Sequence, residues 1–549
     1  MRCLRLWVEV GETVAKSGGK ITRARELRVK GSHFLLRQFS LSPELVQARR
    51  IRRSFRKHSG SNSLEGRNIL IPTMRDWSVH VHLEALLGHY LRSEGARVRH
   101  LSCGGRLEIC DRANSWESPP MPCRSCSKYV ARSLSAHGAE VGWLKEKFGQ
   151  GDWPELDSMS LRDLTEVSYD GYELGRLMEV PVKWFLLAET LTEDPLASQT
   201  YRKFLRSARK VLGALEHQFQ IDPPDQVVLL NGLFMFEALI WEVCRRHRIP
   251  VISYERGFIV DSFVFAHDRV ASYFEMNEVW DRIRKVPLSK EQSVELDMYM
   301  ADRRSGRRTS DDYWSHVVEG ALGRTRPGRR AVLFSNLVWD SAVLGQNVAF
   351  PSIVDWVEAT IRIFEQHPND ELIVRIHPAE TKLSGRESRE RLLDSLMRRI
   401  PRVPDNVLII PSEEDVSSYD LMAEADFGLV YSSTAGLEMA IAGKPVIVAA
   451  RTHYRDKGFT IDVSSKDEFF AAVERELSQP SSGNADLAAR YAHLFFFRNP
   501  YFGMGVEEPM RGLVRFTATT MGDLQVGGRG DVARFIASVR SGATFDAVQ

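Results

Sequence analysis

The chain has 549 residues, of which 43% are hydrophobic and 27% are charged, so it can form two or more ordinary globular domains. Its 74 Lys and Arg nearly balance its 72 Asp and Glu, which removes any general requirement for a nucleic-acid partner. Six cysteines are too few for a disulfide-based scaffold. Because no uncharged apolar stretch reaches about 18 residues, we expect no helix that spans a membrane.

The N-terminal arm, residues 1–64, is strongly basic, and its first 60 residues contain 15 Lys or Arg and 4 Asp or Glu. Arg2, Arg5 and Glu9 interrupt any apolar signal region, so we expect a cytoplasmic protein. Pro43–Lys57 has the pattern of a cationic helix within an arm that is otherwise partly disordered. The pattern favours a solvated helix, and the alternative is peripheral docking on an anionic membrane, because each cation adds about 1 kcal/mol there. We expect no nucleic-acid partner.

Short apolar runs alternate with helical patterns over residues 65–325, the predicted N-terminal domain. Uncharged runs of this kind are typical of parallel strands covered on both faces. The predicted strands are Asn68–Pro72, Arg97–Leu101, Gln226–Leu230 and Pro250–Ser253. The predicted helices are Val79–Ser93 and Leu233–His247, with more charged helical sequence over about 140–220. The alternation predicts a parallel sheet flanked by helices.

Four cysteines fall in an insertion of this domain at residues 103–126. They are Cys103, Cys110, Cys123 and Cys126. The Cys-x2-Cys pair resembles one knuckle of a structural zinc site, whereas the spacing of the first two cysteines is not a standard one. The cluster predicts a closed structural zinc site. The alternatives are unlinked thiols, an iron–sulfur cluster and a redox disulfide.

A polar, basic stretch at 303–330 predicts a linker, and a second α/β pattern follows over 326–515. Its predicted strands are Ala331–Ser335, Glu371–Ile376, Asn406–Ile410 and Phe427–Tyr431. Its predicted helices are Ile353–Gln366, Arg386–Arg399 and Ser418–Ala425. The chain therefore predicts two Rossmann-type, doubly wound parallel-sheet domains. A weakly patterned tail covers 516–549.

Polar side chains follow the strands of the second domain at the points where the strands end. They are Ser335, Asn336 and Asp340 after one strand, Arg375, His377 and Pro378 after the next, and Ser432, Ser433 and Thr434 after Phe427–Tyr431. The carboxyl ends of parallel strands lie at one edge of a sheet, so these groups should converge. Hydroxyls and free amides at a helix start also favour an anion. The pattern predicts a nucleotide site.

Three further side chains are candidates for this site. Glu438 lies in the helix that follows the hydroxyl-rich turn and ends at Gly443, where a carboxylate can accept hydrogen bonds from ribose hydroxyls. Arg375 and Lys457 offer cationic contacts to phosphate. The alternatives are a solvent-facing glutamate, a surface ion pair and a solvated loop lysine, respectively.

Five short motifs of the chain resemble those of known enzymes. His377-Pro378, taken with Ser432-Ser433-Thr434, resembles the HP and SS/T motifs of bacterial enzymes that use CMP-sugars, the sialyl- and Kdo-transferases. Leu437–Val448 resembles the donor-site helix and strand of GT-B glycosyltransferases. Together with Trp339-Asp340 and Tyr254–Phe258, these motifs make the chain similar to the capsule polysaccharide biosynthesis family over about 225–515.

The resemblance implies a GT-B-like fold, in which two domains face a cleft, and a metal-independent glycosyltransferase that needs no cofactor for catalysis. It implies that His377, Ser432 and Ser433 hold the donor phosphate and that Glu438 holds the ribose. The donor would be a nucleotide sugar, preferably a CMP-sugar such as CMP-Kdo. The acceptor would be a hydroxyl of a glycolipid or polysaccharide. The chain also contains no Asp-x-Asp motif for a metal-bound diphosphate.

Glu255 is the first candidate for the catalytic base on the acceptor side. It follows a buried strand in a turn closed by Gly257, where burial would raise its pKa toward neutrality. Related enzymes often have an acidic group or His-Gly near this position, whereas this chain has Arg256-Gly257. Asp261 is the second candidate, and the alternative is that both carboxylates only orient loops. His377 is a catalytic candidate because fixed donors stabilise charge on a departing nucleotide.

Three other functions remain open from the sequence. One is another GT-B-shaped enzyme, such as a nucleotide-sugar 2-epimerase or a CDP-glycerol glycerophosphotransferase. Another is a non-catalytic protein of polysaccharide export or assembly that retains the fold. The third is a zinc- and nucleic-acid-binding protein that uses the basic arm and the cysteines.

Overall fold

The computed structural model describes ten stretches of the chain, and all structural statements below refer to them. They are residues 42–55, 62–117, 121–149, 152–191, 194–305, 323–340, 343–383, 385–510, 512–517 and 531–542. Most of the predicted N-terminal arm, most of the predicted linker and much of the predicted tail therefore lie outside the described residues.

The described chain contains 14 strands. They are β1 Asn68–Pro72, β2 Arg97–Ser102, β3 Val141–Trp143, β4 Gln226–Leu230, β5 Val251–Arg256, β6 Phe263–His267, β7 Arg330–Phe334, β8 Glu371–Arg375, β9 Val407–Ile410, β10 Phe427–Val430, β11 Val446–Val448, β12 Ile461–Asp462, β13 Val506–Met510 and β14 Leu513–Phe516.

Helices connect these strands. They are α1 Pro43–Phe55, α2 Ser78–Ser93, α3 Cys123–His137, α4 Leu161–Thr165, α5 Leu174–Leu186, α6 Pro195–Ile221, α7 Met235–His247, α8 Asn277–Ile283, α9 Lys290–Arg304, α10 Ile353–Glu365, α11 Ala379–Lys382, α12 Leu392–Arg399, α13 Ser418–Glu424, α14 Ala435–Ile441, α15 Lys466–Ser478, α16 Ala485–His493 and α17 Asp531–Ser541. A π-helical segment, Leu494–Arg498, continues α16.

Two six-stranded sheets organise the protein. The first has the order β3-β2-β1-β4-β5-β6 and the second the order β12-β11-β10-β7-β8-β9. All pairs in both sheets are parallel except β5 with β6. Numbered within each sheet, both orders are 3-2-1-4-5-6, the doubly wound Rossmann order. The predicted fold class is confirmed.

Strand β1 shows why these sequences form buried parallel strands. Its residues alternate between two core layers: Ile69 and Ile71 belong to one, and Leu70 belongs to the other. Both faces of the strand are therefore covered by helices, which is why the run contains no polar alternation. The same holds for β4, which is buried at every position.

The chain crosses between the domains at two places that differ from the predicted boundaries. Helices α8 and α9 pack into the core of the second sheet through residues such as Trp280 and Tyr299. Conversely, hairpin β13–β14 and helix α17 pack into the core of the first sheet, through residues such as Val514 and Phe535. The predicted domain limits at 325 and 515 therefore do not coincide with the domains of the structure. The prediction relied on the composition of the linker, whereas the crossing segments belong to the domain whose core they contact.

Aromatic rings and one buried carboxylate join the domains. Trp184 of α5 contacts Trp339 edge-on, with ring centroids 5.2 Å apart. The rings of Phe258 and Phe495 lie 5.0 Å apart. Glu189 accepts a hydrogen bond of 2.9 Å from the first amide of α10. The two sheets thus face each other across a cleft with defined contacts at its edges.

A row of histidines is buried in the N-terminal domain. The Nδ1 atom of His82 lies 3.1 Å from Nε2 of His137, and Nδ1 of His137 lies 3.3 Å from Nε2 of His89. Burial and neighbouring positive charges lower the pKa of His89 to about 3, and burial lowers that of His137 well below its usual value. These two rings are therefore neutral in the folded protein near pH 7.

Acidification should destabilise this domain through His89. At pH values between its folded pKa and about 6.5, His89 is protonated in the unfolded chain but not in the folded chain. The stability therefore falls as the pH drops below about 6.5. We expect His89→Gln to reduce the stability loss between pH 7.5 and 5.5 by about 1.4 kcal/mol. Urea unfolding of both proteins at the two pH values measures this difference. An equal loss in both would contradict it.

No helix in the described stretches is long and apolar enough to cross a membrane.

Candidate functional site

Three strand ends of the second sheet meet at one edge. Strand β7 lies between β10 and β8, and the parallel register pairs Phe334 with both Val430 and Arg375. The loops that follow these residues therefore begin side by side. The strand-end rule predicted this convergence from the sequence.

Two hydrogen bonds connect these loops through the segment after β7. The backbone N–H of His377 donates to Ser335 Oγ over 2.9 Å. The backbone N–H of Ser432 donates to Asn336 Oδ1 over 3.1 Å. Ser335 and Asn336 thus hold the other two loops in place, and the structure brings these four predicted residues together.

The imidazole of His377 has a defined protonation state. Its Nδ1 accepts a hydrogen bond of 3.1 Å from the backbone N–H of Ala379, the first residue of α11 after Pro378. Burial, assisted by the charge of Arg375, lowers the pKa of His377 to about 4. The ring is therefore neutral near pH 7 with its proton on Nε2, the tautomer that donates a hydrogen bond from that atom.

The hydroxyl-rich turn after β10 is closely packed. Ser433 Oγ accepts from the N–H of Ala435 over 3.3 Å, and Tyr454 Oη donates to the Ser433 carbonyl. Thr434 precedes α14 without a side-chain capping bond. Ser432 Oγ is buried and has no hydrogen-bond partner among the described residues. Buried hydroxyls are normally satisfied, so this atom is suited to a bound polar ligand.

Glu438 is the fourth residue of α14 and is buried. Its Oε1 accepts a hydrogen bond of 2.8 Å from the guanidinium of Arg303, at the end of α9. Its Oε2 is buried without a hydrogen-bond partner in the described part of the chain. One oxygen is therefore held by an arginine, and the other is the one a ribose hydroxyl could reach. Sequence reasoning missed Arg303, because it assigned this residue to the linker.

The two predicted cationic phosphate contacts, Arg375 and Lys457, also hold loops in place. Arg375 donates to two carbonyls of the 411–414 loop, over 2.7 and 3.0 Å, and burial lowers its pKa to about 10. Lys457 Nζ donates to Asn277 Oδ1 over 2.7 Å and to the Arg455 carbonyl over 2.8 Å. Burial also lowers the pKa of Lys457. Both side chains are engaged within the second domain, whereas Arg375 Nε is buried without a hydrogen-bond partner among the described residues. Their phosphate contacts stay predictions.

Glu255 lies at the end of β5 and faces the second domain. Its Oε2 accepts from Asn231 Nδ2 over 2.9 Å, and its Oε1 accepts from the N–H of Arg256 over 2.8 Å. Burial raises the pKa of Glu255, and the negative charge of Asp340 adds to the rise. A carboxylate with a raised pKa at a domain cleft is suited to proton transfer.

Asp261 stabilises the loop beyond Glu255. It adopts a left-handed backbone conformation with φ 60°, and its Oδ1 accepts a hydrogen bond of 2.8 Å from the N–H of Glu508. Glu508 also pairs with Arg256 at 2.6 Å. Gly257 closes the turn, since a Cβ there would lie 2.2 Å from Ser262 Oγ. Asp261 therefore connects this turn to hairpin β13–β14.

A buried charge network near the cleft was missed by sequence reasoning. Arg75, in the loop after β1, pairs with Asp111 and Glu237, each at 2.7 Å. Nearby, Tyr254 Oη donates to Glu84 Oε1 over 2.7 Å, and burial raises the pKa of Glu84 to about 8. The only sequence signal was the polar Thr73–Asp76 segment at a strand end, because the partners come from distant elements.

The cysteine insertion shows no metal-binding geometry. No three His, Cys, Asp or Glu side chains within the described ranges converge in a way that could hold a metal ion. The thiols of Cys103, Cys110, Cys123 and Cys126 are all free, and burial raises their pKa values, to about 11 for Cys103 and about 12 for Cys126. Without a bound metal the thiols are thus protonated near pH 7. Zinc binding stays a prediction. Comparing the zinc content of the purified wild type with that of Cys123→Ser checks it.

The part of the chain that matches a known family includes the candidate site of the second domain. Residues 281–493 match the family model described as capsule polysaccharide biosynthesis protein. This part of the chain is similar to that family. The matched residues extend from α8 to the end of α16 and include the loops that carry His377 and Ser432. The family resemblance predicted from these motifs is confirmed.

Several solved structures are also similar to this chain. Two are from Thermosulfurimonas dismutans and are described as KpsC, beta Kdo 2,4 transferase and KpsC, beta Kdo 2,7 transferase. They are 16% and 14% identical, cover 55% and 58% of this chain and 88% and 90% of their own, and have TM-scores of 0.34 and 0.33. UDP-GlcNAc 2-epimerase from Neisseria meningitidis is 10% identical, with coverage of 86% and 99% and a TM-score of 0.25. No curated protein sequence matches significantly.

Proposed function

We propose that the protein is a glycosyltransferase of capsule or surface polysaccharide biosynthesis. It moves a sugar from a nucleotide donor, preferably a CMP-sugar such as CMP-Kdo, to a hydroxyl of a glycolipid or polysaccharide. It works in the cytoplasm, at the inner face of a bacterial membrane. The observation that carries this proposal is the convergence of His377 and Ser432, joined through Ser335 and Asn336, in the family-matched segment.

The donor phosphate would lie between His377 and Ser432. The neutral imidazole donates from Nε2, and the buried Ser432 hydroxyl has no partner among described residues. Both donors are fixed by backbone contacts before the ligand arrives. Fixed donors stabilise the negative charge that grows on a nucleotide as its bond to the sugar breaks. We propose that these groups, without a metal ion, support the departing nucleotide.

The nucleoside end would lie toward α14. Glu438 presents Oε2 while Arg303 binds Oε1. An ionised carboxylate accepts hydrogen bonds from two neighbouring hydroxyls, which is the pattern a ribose offers. We propose Glu438 as the ribose contact and Arg303 as the residue that positions it.

The acceptor hydroxyl would approach from the N-terminal domain, where Glu255 takes its proton. Asn231 and the Arg256 amide orient the carboxylate across the cleft from Asp340. A base whose pKa is raised toward neutrality accepts a proton more readily than an exposed glutamate.

A donor screen tests the proposal. Purified protein is incubated with CMP-, UDP-, GDP- and CDP-activated donors, with and without a glycolipid acceptor, and the products are identified. We expect turnover of a CMP-sugar that depends on the acceptor. A product that forms from UDP-sugar alone would point to an epimerase, and no turnover with any donor would point to a non-catalytic role.

His377→Ala should lower kcat/KM for the donor by roughly 10- to 150-fold, the value of a lost hydrogen bond to a charged group. His367→Ala is the matched control, because that histidine pairs with Glu474 away from the converging loops. Steady-state kinetics with the preferred donor measures both. Equal activity of the two variants would remove His377 from the donor site.

A further inference from the structure

An arginine groove lies on the N-terminal domain, between α1 and α3. We use this name for the groove lined by Arg49, Arg52, Arg53 and Arg132, with small residues of α3 as its floor. Its volume is ≈ 770 Å³. None of these residues belongs to the cleft described above.

Helix α1, which forms one side of the groove, is packed against the core of the domain. Four buried hydrophobic residues of α1 belong to the core of the N-terminal domain: Leu45, Ala48, Ile51 and Phe55. The apolar face of α1 is therefore already occupied, which directs its arginines outward. The cations belong to an ordered surface and not only to a solvated arm.

The backbone at the end of α3 shapes the groove. Gly138 ends this helix in a left-handed conformation with φ 74°. A Cβ at this position would lie 2.3 Å from Nε of Arg52. The guanidinium of Arg52 therefore lies directly on the helix terminus, in a space that only glycine leaves open.

The charge on the two helices is almost entirely positive. Their cations are Arg49, Arg50, Arg52, Arg53, Arg124, Lys128 and Arg132. Helix α3 contains no acidic residue, and the single acid of α1, Glu44, is buried. Arg52 and Arg53 form no ion pair with any residue that the structure describes. This surface is complementary to an extended anionic partner.

We propose that the arginine groove docks the protein on an anionic lipid bilayer by binding the phosphate oxygens of lipid headgroups. Guanidinium groups bind phosphate through two parallel hydrogen bonds, and four of them line one groove. Each cation near an anionic bilayer increases partitioning by about fivefold. Docking does not depend on the transfer chemistry, although a glycolipid acceptor would lie in the same bilayer.

The aromatic residues favour a bilayer over single-stranded nucleic acid. The aromatic side chains of α1 and α3 are Phe55 and Tyr129, and both contact buried histidines: Phe55 packs on His89, and Tyr129 packs on His82. Sites for single-stranded nucleic acid typically stack the bases on exposed aromatic side chains. In the described helices, this surface offers only charge.

Vesicle binding of the full-length protein tests the proposal. Phosphatidylcholine vesicles with and without one quarter phosphatidylglycerol are sedimented with the wild type and with Arg49→Gln/Arg52→Gln/Arg53→Gln/Arg132→Gln. The control, Arg162→Gln/Lys285→Gln/Lys290→Gln/Arg402→Gln, removes the same charge from exposed positions elsewhere. We expect the wild type and the control to bind only the anionic vesicles, less at 0.5 M salt, and the groove variant to bind at least about 30-fold more weakly.

Several results would overturn the proposal. One is equal binding of the groove variant and the control, which would assign docking to other basic residues. Another is equal binding of the wild type to both vesicle types, a comparison that needs no variant. A third is tighter wild-type binding to a short RNA or DNA than to the anionic vesicles. Turnover with soluble substrates should be unchanged in the groove variant, so that failure of docking and failure of the proposed transfer are separate outcomes.

Discussion

Replacing Glu255 with glutamine is expected to lower kcat for transfer by about 10²- to 10⁴-fold, the usual contribution of a general base. The amide oxygen can accept from only one of the two donors that Glu255 binds, Asn231 Nδ2 or the Arg256 N–H, and the amide cannot accept the acceptor proton. Donor binding should change little, because the donor loops belong to the other domain. Steady-state kinetics together with nucleotide titration separates the two effects.

The pH dependence of activity is a second test of Glu255. Because burial raises the pKa of Glu255, wild-type activity should fall as the pH drops through a value above the usual one for glutamate. The residual activity of Glu255→Gln should lack this acid limb. Asp261→Asn is the matched control and should lose less activity, since that side chain binds the Glu508 amide. A larger loss in Asp261→Asn would transfer the role of base to Asp261.

Replacing Arg75 with methionine is expected to cost about 3–5 kcal/mol of stability. The side chain is similar in length but leaves the Asp111 and Glu237 carboxylates buried without their counter-charge. Arg75 is 4% exposed, so solvent cannot replace the lost contacts. Calorimetric unfolding of the wild type and the variant should show a large shift of the transition of the N-terminal domain.

The control for this measurement is Arg176→Met. Arg176 also meets two carboxylates, those of Glu166 and Glu173, but its side chain is 63% exposed. Exposed pairs contribute about 0–1 kcal/mol, so this variant should unfold near the wild type. Comparable small losses in Arg75→Met and Arg176→Met would show that the buried network does not stabilise the domain.

The strands that the sequence predicted best are those buried on both faces. Asn68–Pro72 and Gln226–Leu230 were predicted with their observed limits, because a continuous apolar run leaves few alternatives. Strand Phe263–His267, which lies antiparallel at the sheet edge, was missed. Hairpin β13–β14 contains Pro509 and a register shift between Glu507 and Met510, so its alternation is weak.

The candidate site was predictable in its placement but not in its contacts. The strand-end rule placed Ser335, His377 and Ser432 at one edge from sequence alone. It could not show which cations also hold loops in place, as Arg375 does. It also could not find Arg75, whose partners lie 36 and 162 residues away, since no local pattern records such distances.

The central claim is that the converging loops after β7, β8 and β10 bind a nucleotide. Calorimetric titration of CMP, and of UDP for comparison, into the wild type and Ser432→Ala tests it most directly. We predict one CMP site per chain, weaker binding of UDP, and a loss of about 10-fold or more in CMP affinity on removal of the Ser432 hydroxyl. Binding of UDP without CMP would contradict the donor assignment, and no binding of either nucleotide would contradict the site.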